Sequence, residues 1–198
     1  MATQIHTRFD DARRAMIDSQ LRTSGVNEPF VLKRMSEVKR ENFVPEAQRA
    51  AAYMDRAVRL PDGGFLPAPV FHGMMLAEAN PQLSDQAIVV DGGSGYLPAL
   101  LEPLVASLTT IDPQAAVDGK LGKDKPTLLL IDGAIEQLPD ALVAKLVDGT
   151  RVVTGLVERG VTRLAAGRKV GGGLALVPLA EVGVPRMAAF DRASTWSF

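Results

Sequence analysis

The sequence contains no cysteine, few aromatic residues and almost no net charge. The absence of cysteine excludes disulfide bonds, zinc–thiolate sites and cysteine nucleophiles. A net charge of −1 argues against nucleic acid or an anionic membrane as the main partner. No apolar run approaches the ~18 residues that span a bilayer, and the first twenty residues lack the apolar segment of a signal peptide. We therefore expect a cytoplasmic protein that binds neither nucleic acid nor membrane.

The 198 residues, of which 46% are hydrophobic, suffice for one globular unit. A chain of this length buries about 70% of its unfolded surface. Residues 1–80 have helical spacing of apolar positions, whereas strands and helices alternate from residue 81 onward. We expect a helical N-terminal cap over residues 1–80 and an α/β domain over residues 81–198, packed together as one compact unit.

The apolar periodicity places each element approximately. Predicted helices are residues 9–17, a helix capped by Asn27, and residues 45–53, 69–79, 97–104 and 139–147. Predicted strands are residues 56–60, 88–90, 108–112, 127–131, 151–157, 161–166 and 174–177. The run 127–131 is apolar throughout, which is typical of a parallel strand covered on both faces. The glycines at 171–173 predict that the last strand closes an antiparallel hairpin.

The stretch from Gln86 to Tyr96 is the most informative part of the chain. An apolar strand runs into Asp91, then Gly92, Gly93, Ser94 and Gly95, and then a helix. Such a turn lets backbone N–H groups face a bound ligand. Asp112 ends the following strand about 20 residues later, where an acid accepts hydrogen bonds from ribose hydroxyls. Together they indicate an adenosine-type ligand; a plain strand-to-helix turn is the alternative.

Four sequence blocks together resemble one family, the protein-L-isoaspartate O-methyltransferases. They are Met16–Leu21 with Gly25-Val26, Val38–Pro45 (the family's Val-Pro-Arg-Glu-x-Phe-Val-Pro), Ala52–Asp55 (its Ala-Tyr-x-Asp), and Gly93–Tyr96 followed by Asp112. The resemblance implies a shortened Rossmann-like, S-adenosylmethionine-dependent methyltransferase fold, with the helical N-terminal cap and the antiparallel C-terminal hairpin. It implies S-adenosylmethionine as cofactor, held by Asp91, Gly92, Gly93, Ser94, Gly95 and Asp112.

In that family, an isoaspartyl carboxylate of a damaged protein attacks the methyl group of the cofactor, and the ester then closes to a succinimide. Catalysis would come mainly from holding the two reactants in line. The resemblance therefore implies a protein or peptide partner with isoaspartyl residues. It implies no metal ligand.

The chain departs from the family where positioning matters most. Phe65–Pro69 stands in place of a Thr-Ile-Ser-Gln-Pro element whose serine touches the reacting carboxylate, and Pro67 has no hydroxyl. In the glycine turn, either Asp91 replaces the first glycine or two loop residues are deleted. Only fourteen residues, Pro113–Pro126, connect the strands at 108–112 and 127–131. They can cross the sheet once, which leaves the adenine half of the site open to water. We therefore assign no catalytic residue.

Three other features have two readings each. His72 lies among apolar residues, so packing is the favoured reading over catalysis. The Met74-Met75-Leu76 cluster is more typical of a core than of a ligand site. Asp132-Gly133-Ala134 follows an apolar strand at the edge where open α/β sheets bind ligands, and it is either part of a pocket or a simple turn.

Three hypotheses follow. Two are favoured: a pseudoenzyme that binds neither S-adenosylmethionine nor an isoaspartyl peptide, and a protein that binds the cofactor weakly. The third is an active isoaspartyl methyltransferase that repairs damaged proteins. The short Pro113–Pro126 connection also predicts bare apolar surface near Ile88, Val90 and 128–130, which a partner copy or the connection itself must cover. We expect a homodimer, since it is the commonest such solution.

Overall fold

The computed structural model describes residues 2–122 and 125–192, with side chains from Arg8 onward. The helices are α1 (Ala2–Met16), α2 (Pro29–Glu37), α3 (Pro69–Ala79), α4 (Tyr96–Leu101), α5 (Pro113–Val117) and α6 (Asp140–Val143). The strands are β1 (Val58–Arg59), β2 (Phe65–Leu66), β3 (Gln86–Val90), β4 (Ser107–Ile111), β5 (Leu128–Ile135), β6 (Arg151–Glu158), β7 (Val161–Arg168) and β8 (Val177–Glu181). Helix α1 continues into a π-helical turn at Ile17–Leu21. Short 3-10 segments cover Arg22–Ser24, Arg40–Phe43, Glu46–Ala51, Glu102–Leu104 and Ala188–Phe190.

A six-stranded sheet forms the centre of the molecule, in the order β4-β3-β5-β6-β7-β8. The first four of these strands are parallel, and β6, β7 and β8 pair antiparallel. The predicted α/β fold with a C-terminal antiparallel hairpin is thereby confirmed. A separate two-stranded sheet, β1 with β2, lies in the N-terminal cap.

The central strands are buried on both faces, and their side chains alternate between two hydrophobic cores. Ala87, Val89, Leu128 and Leu130 face the core that also contains the N-terminal helices, α3 and α4. On the opposite face, Ile88, Val90, Leu129 and Ile131 pack with α5, α6 and the C-terminal segment. This period of two is the geometry of a strand, and burial on both faces explains why these runs are wholly apolar.

The N-terminal cap shares the first of these cores with the sheet, because residues such as Met16, Val31 and Phe71 belong to it. The boundary at residue 80 stays a prediction. Two local predictions were wrong here. Helix α2 begins at Pro29 after Glu28, with no side-chain cap from Asn27, and the predicted helix at 45–53 is a 3-10 segment.

The carboxyl end of β5 is irregular, and this irregularity shapes the site. The register with β6 shifts between Ile131 and Ala134, so Asp132 and Gly133 lie at the irregularity. The C-terminal segment then returns over this edge. The Ala134 N–H donates to the Pro185 carbonyl at 2.7 Å, and the Met187 N–H donates to the Ala134 carbonyl at 2.8 Å.

Two expectations about the rest of the sheet need correction. The strand predicted at 174–177 begins only at Val177, since the glycines at 171–173 form a turn that precedes a further irregular stretch. The surface expected to be bare is buried: Ile88, Val90 and residues 128–130 are at most 1% exposed. The short connection covers it with Ala116 and Leu121, helped by α6. This removes the packing reason for a homodimer. Within the described residues, no helix has the length and apolarity to cross a bilayer.

Candidate functional site

The glycine turn lies between β3 and α4, as the sequence predicts. Gly93 has φ +104° and Gly95 has φ +69°, conformations that side chains rarely adopt, so glycine is required at both positions. The Asp91 side chain folds back onto this turn. Its two carboxylate oxygens accept the Gly95 N–H at 3.0 and 3.2 Å. The Ser94 hydroxyl accepts the Tyr96 N–H at 3.2 Å.

Asp91 is a carboxylate in an unfavourable setting. Burial, and then repulsion from Asp132, raise its pKa to about 6, although the N–H groups of Gly93, Ser94 and Gly95 oppose the shift. The backbone N–H groups of this turn thus already face the carboxylate of Asp91. They are the groups that the oxygen atoms of a ligand would otherwise approach.

A turn of the N-terminal cap lies directly on the glycine turn. The Phe65 N–H donates to the Gly92 carbonyl at 3.0 Å, and Phe65 forms a parallel bridge with Gly93. Gly64 faces the Gly92 carbonyl so closely that a Cβ atom would not fit there. The Asp62 carboxylate accepts the Gly64 N–H at 3.1 Å and holds the turn in shape.

Asp112 follows β4 as predicted, and it is exposed. It is the N-cap of α5, where its Oδ1 accepts the Ala115 N–H at 2.9 Å. The structure therefore brings Asp91, the glycines and Asp112 to the same carboxyl edge of the sheet. Each of the three acidic or polar side chains among them, Asp91, Ser94 and Asp112, accepts a hydrogen bond from a nearby backbone N–H.

Position 67 is occupied by a buried proline whose carbonyl is already paired. Arg40, which has no exposed surface, donates to the carbonyls of Pro67 and Ala52 (the latter at 2.6 Å). Its guanidinium also lies over the ring of Tyr96, 4.9 Å from the centroid. Arg40 therefore ties three parts of the chain together behind the site.

Arg40 begins a buried polar relay that ends at Asp132. A guanidinium nitrogen of Arg40 lies 3.2 Å from His72 Nδ1, and His72 Nε2 lies 2.8 Å from Asp132 Oδ1. Arginine can only donate, so Nδ1 accepts and the imidazole proton sits on Nε2, facing the carboxylate. His72 is fully buried, as the packing reading requires, and it contacts Tyr96 edge-on at 5.2 Å. The two ring nitrogens of His72 also connect Arg40 to Asp132 through hydrogen bonds.

The family-like blocks that contain Glu41 and Tyr53 have a structural role. The Tyr53 hydroxyl donates to Glu41, and Arg13 Nε donates to the Tyr53 oxygen at 2.9 Å. Burial and the hydrogen bond with Glu41 raise the pKa of Tyr53. These residues hold the N-terminal cap together and do not reach the carboxyl edge of the sheet.

A cavity of about 300 Å³ opens at the carboxyl edge of the sheet, between the glycine turn and the C-terminal segment. Its lining includes Phe65, Gly92, Pro113, Asp132 and Met187. Asp132 thus belongs to a pocket, which resolves the two readings of the sequence in favour of the pocket. The described residues contain no group of three or more potential metal ligands of the His, Cys, Asp or Glu type.

Sequence reasoning did not find the relay. Its members Arg40, His72 and Asp132 come from three distant parts of the chain. The available signal was the presence of a histidine and an acid inside otherwise apolar helix and strand runs, where polar residues are rare unless paired.

A mainly parallel sheet, a glycine turn after β3 and an acid after β4 are typical of a Rossmann-like nucleotide-binding fold. Residues 11–117 match the family model described as protein-L-isoaspartate(D-aspartate) O-methyltransferase. The chain belongs to this family, as its sequence blocks predict. The match covers most of the N-terminal cap, the glycine turn and α5.

Curated relatives support the assignment over a longer stretch. The chain is 32% identical over 171 residues to a protein-L-isoaspartate O-methyltransferase of Herpetosiphon aurantiacus, covering 73% of this chain and 75% of the relative. It is 32% identical over 139 residues to one of Roseiflexus castenholzii, covering 67% of this chain and 63% of the relative. A Koribacter versatilis relative is 30% identical over 171 residues, covering 74% and 77% respectively.

Solved structures agree on the fold. A Plasmodium falciparum protein, described as a putative protein-L-isoaspartate O-methyltransferase in complex with S-adenosyl-L-homocysteine, superposes with a TM-score of 0.70 at 17% identity. The superposition covers 91% of this chain and 98% of that protein. A second protein-L-isoaspartate O-methyltransferase has a TM-score of 0.70 at 13% identity, covering 89% of this chain and 66% of the other.

Proposed function

We propose that this family member transfers methyl groups to isoaspartyl carboxylates poorly or not at all, and that it binds S-adenosylmethionine weakly. Position 67 carries the proposal. Pro67 is buried, has no hydroxyl and no N–H, and its carbonyl is already used by Arg40. An acceptor carboxylate placed beside it would lose hydrating water and gain no hydrogen bond from this residue.

The glycine turn supports weak cofactor binding. The proposed contacts are Asp91, Gly92, Gly93, Ser94, Gly95 and Asp112. The Gly95 N–H is already satisfied by Asp91, and the Gly92 carbonyl by Phe65. A ligand has to displace these internal contacts or bind around them, and either route lowers its net affinity.

The second candidate is an active isoaspartyl methyltransferase. Two observations favour it. The family model matches more than half of the chain, and a cavity lies beside Gly92 at the carboxyl edge of the sheet, where α/β folds bind ligands. In this reading the acceptor would be held by groups other than position 67.

Calorimetric titration with S-adenosylmethionine and with S-adenosylhomocysteine, followed by a methylation assay on an isoaspartyl peptide, separates the readings. We expect dissociation constants between about 10 μM and 1 mM, which is roughly −7 to −4 kcal/mol, and no methyl ester. Efficient ester formation would overturn the proposal in favour of the active enzyme. No heat with either ligand would contradict the proposal that the protein binds S-adenosylmethionine weakly. The protein would then be a pseudoenzyme that binds no cofactor.

Two substitutions at position 67 test the missing hydroxyl directly. Pro67→Ser adds a hydroxyl, and Pro67→Ala is the matched control because it removes the ring and adds no polar side-chain atom. Methylation that rises in the serine variant alone would locate the defect at this position. Equal activity of both variants and the parent would show that position 67 does not limit transfer.

We retain the homodimer as a proposal, on a different ground from the apolar surface near β3. Strand β8 lies at one edge of the sheet, and on it Val177 is 58% and Leu179 47% exposed. An edge strand with apolar side chains can pair with a second copy. Light scattering at micromolar concentration gives the mass directly, and the mass of a single chain would rule the dimer out.

A further inference from the structure

A groove runs between helix α3 and the edge strand β8, with β7 beneath it. Two cavities of about 400 and 250 Å³ make up the groove, and Glu78 and Leu179 line both of them. Val177 belongs to the larger cavity, whereas Met74 and Leu164 belong to the smaller one. Since β8 lies four strand positions from β3 in the sheet, the groove is a separate surface from the glycine turn.

The strand side of the groove is apolar although it is exposed. The run Leu174–Ala180 contains no charged or hydrogen-bonding side chain. Within this run Ala175, Val177, Pro178 and Leu179 are exposed, with Val177 at 58% and Leu179 at 47%. Soluble proteins usually protect a sheet edge with charged side chains, so a bare apolar edge indicates a contact surface.

The backbone of β8 limits how a partner can bind. Leu164 pairs with Ala180 and Ala165 pairs with Pro178, so Leu179 is one extra residue on β8. Such a bulge bends the strand and interrupts the ladder of hydrogen bonds. Pro178, next to the bulge, has no N–H to donate. A long backbone ladder at this edge is therefore disfavoured, and a partner has to bind mainly through side chains in the groove.

The groove has opposite charges at its two ends. Arg168 lines the cavity near Val177, is exposed, and donates to the Gly149 carbonyl at 3.1 Å. Glu28 lines the cavity at the other end, and its carboxylate accepts the Asn27 N–H at 3.1 Å. Neither Arg168 nor Glu28 forms an ion pair with a side chain of residues 8–122 and 125–192. Both charges are thus available to a partner.

This arrangement of charges is complementary to itself. A two-fold axis perpendicular to β8 reverses the direction of the strand. It therefore brings the basic end of one groove to the acidic end of the groove in a second copy. With the axis at Leu179, the two leucines meet at the centre, and each free charge gains a partner of opposite sign. A second copy supplies all of these contacts by symmetry, whereas an unrelated protein would need to match each of them separately.

We propose that a second copy of this chain binds in the groove, with Leu179 of each copy at the two-fold axis and Arg168 of each facing Glu28 of the other. The inference rests on the homodimer proposed above and states which surface forms it. The groove shares no lining residue with the cavity beside Gly92. Dimer formation therefore leaves that cavity open, and we expect the dimer to form whether or not a cofactor is bound.

Sedimentation equilibrium over a series of protein concentrations gives both the mass and the dissociation constant of the dimer. Leu179→Lys places a charge at the proposed axis and should raise this constant about thirtyfold or more. Leu83→Lys is the matched control, because Leu83 is 77% exposed and lies outside the groove, and it should leave the constant unchanged. Equal weakening by the two substitutions would overturn the proposal.

Charge reversal tests the two-fold arrangement independently of the leucine. Arg168→Glu or Glu28→Arg alone brings like charges together, and each should weaken the dimer about tenfold. The double variant restores opposite charges and should bind within about threefold of the parent protein. Arg14→Glu makes the same change in net charge on an exposed residue of α1 outside the groove and should have no effect. These four variants decide the matter if Leu179→Lys fails to fold.

The outcomes separate this inference from the homodimer itself. The mass of a single chain at every concentration would overturn both. A dimer that neither Leu179→Lys nor the single charge reversals weaken would keep the homodimer and refute the groove as its interface. A double variant that binds no better than the single ones would refute the two-fold arrangement. A mass that grows beyond two chains would refute it as well, because a closed two-fold contact stops at a pair.

Discussion

Replacing Arg40 with methionine should destabilise the whole fold. The guanidinium donates to the carbonyls of Ala52 and Pro67 and to His72 Nδ1, and it lies over the ring of Tyr96. Methionine retains part of the side-chain volume and none of these donors. The variant would leave two buried carbonyls and an imidazole nitrogen without their partner.

The magnitude follows from two opposing effects. Each unsatisfied buried acceptor costs about 1–3 kcal/mol, whereas removing a buried cation recovers its desolvation penalty. Breaking one side of a buried charged network typically costs about 3–5 kcal/mol. We expect a loss of about 3 kcal/mol or more, a large part of the 5–15 kcal/mol that stabilises a typical domain.

Urea unfolding followed by circular dichroism measures this loss. Arg14→Met is the matched control, since Arg14 is 72% exposed and pairs with Asp11 at 2.6 Å. Exposed pairs of this kind contribute about 1 kcal/mol at most. If Arg40→Met lowered the free energy of unfolding by less than about 1 kcal/mol, the reasoning would be refuted. The desolvation penalty of the buried guanidinium would then cancel the stabilisation from its hydrogen bonds. Arg40→Lys should lie between the two because lysine lacks the planar donor fork.

Three further substitutions have separate expected outcomes. The raised pKa of Asp91, about 6 against an ordinary 3.8, means that its contribution to stability is fully present below about pH 4 and is lost as the pH rises through 6. Asp91→Asn should remove this pH dependence, which amounts to about 1–2 kcal/mol of unfolding free energy after allowance for solvent screening. With other groups constant, equal stability of the parent protein at pH 4.5 and 7 would contradict this. Gly64→Ala should cost about 2 kcal/mol or more because its Cβ meets the Gly92 carbonyl, whereas Gly183→Ala, with open space around it, should be nearly neutral in the same unfolding assay. Asp112→Ala removes the cap of α5 and should lower stability by about 1 kcal/mol; an unchanged unfolding midpoint would show that the cap contributes nothing.

Much of the fold can be predicted locally. The wholly apolar run of β5 predicts a parallel strand covered on both faces, and its alternate side chains do enter two different cores. The glycine turn and Asp112 were placed correctly because strand, turn and helix signals fall at short, regular spacing. Local signals failed where structure is held by tertiary contacts, as at residues 45–53 and 174–177.

The covering of the sheet could not be predicted from the chain length alone. The short connection Pro113–Pro126 lacks room for several elements, yet one helical turn, Pro113–Val117, with Leu121 is enough to bury the apolar strands. The reason is geometric: β4 is an edge strand, so one short crossing over β3 covers the face that a longer insertion would otherwise cover.

The sequence by itself determined the family, the parallel core, the glycine turn and the absence of a hydroxyl at position 67. Only the tertiary structure decided what these residues contact. Arg40 and His72 are 32 positions apart, and His72 and Asp132 are 60 apart. Hydrogen bonds over such separations leave no local periodicity, because they depend on how three elements pack. The same packing turns Asp91 onto its own turn and places Asp132 in the lining of a cavity.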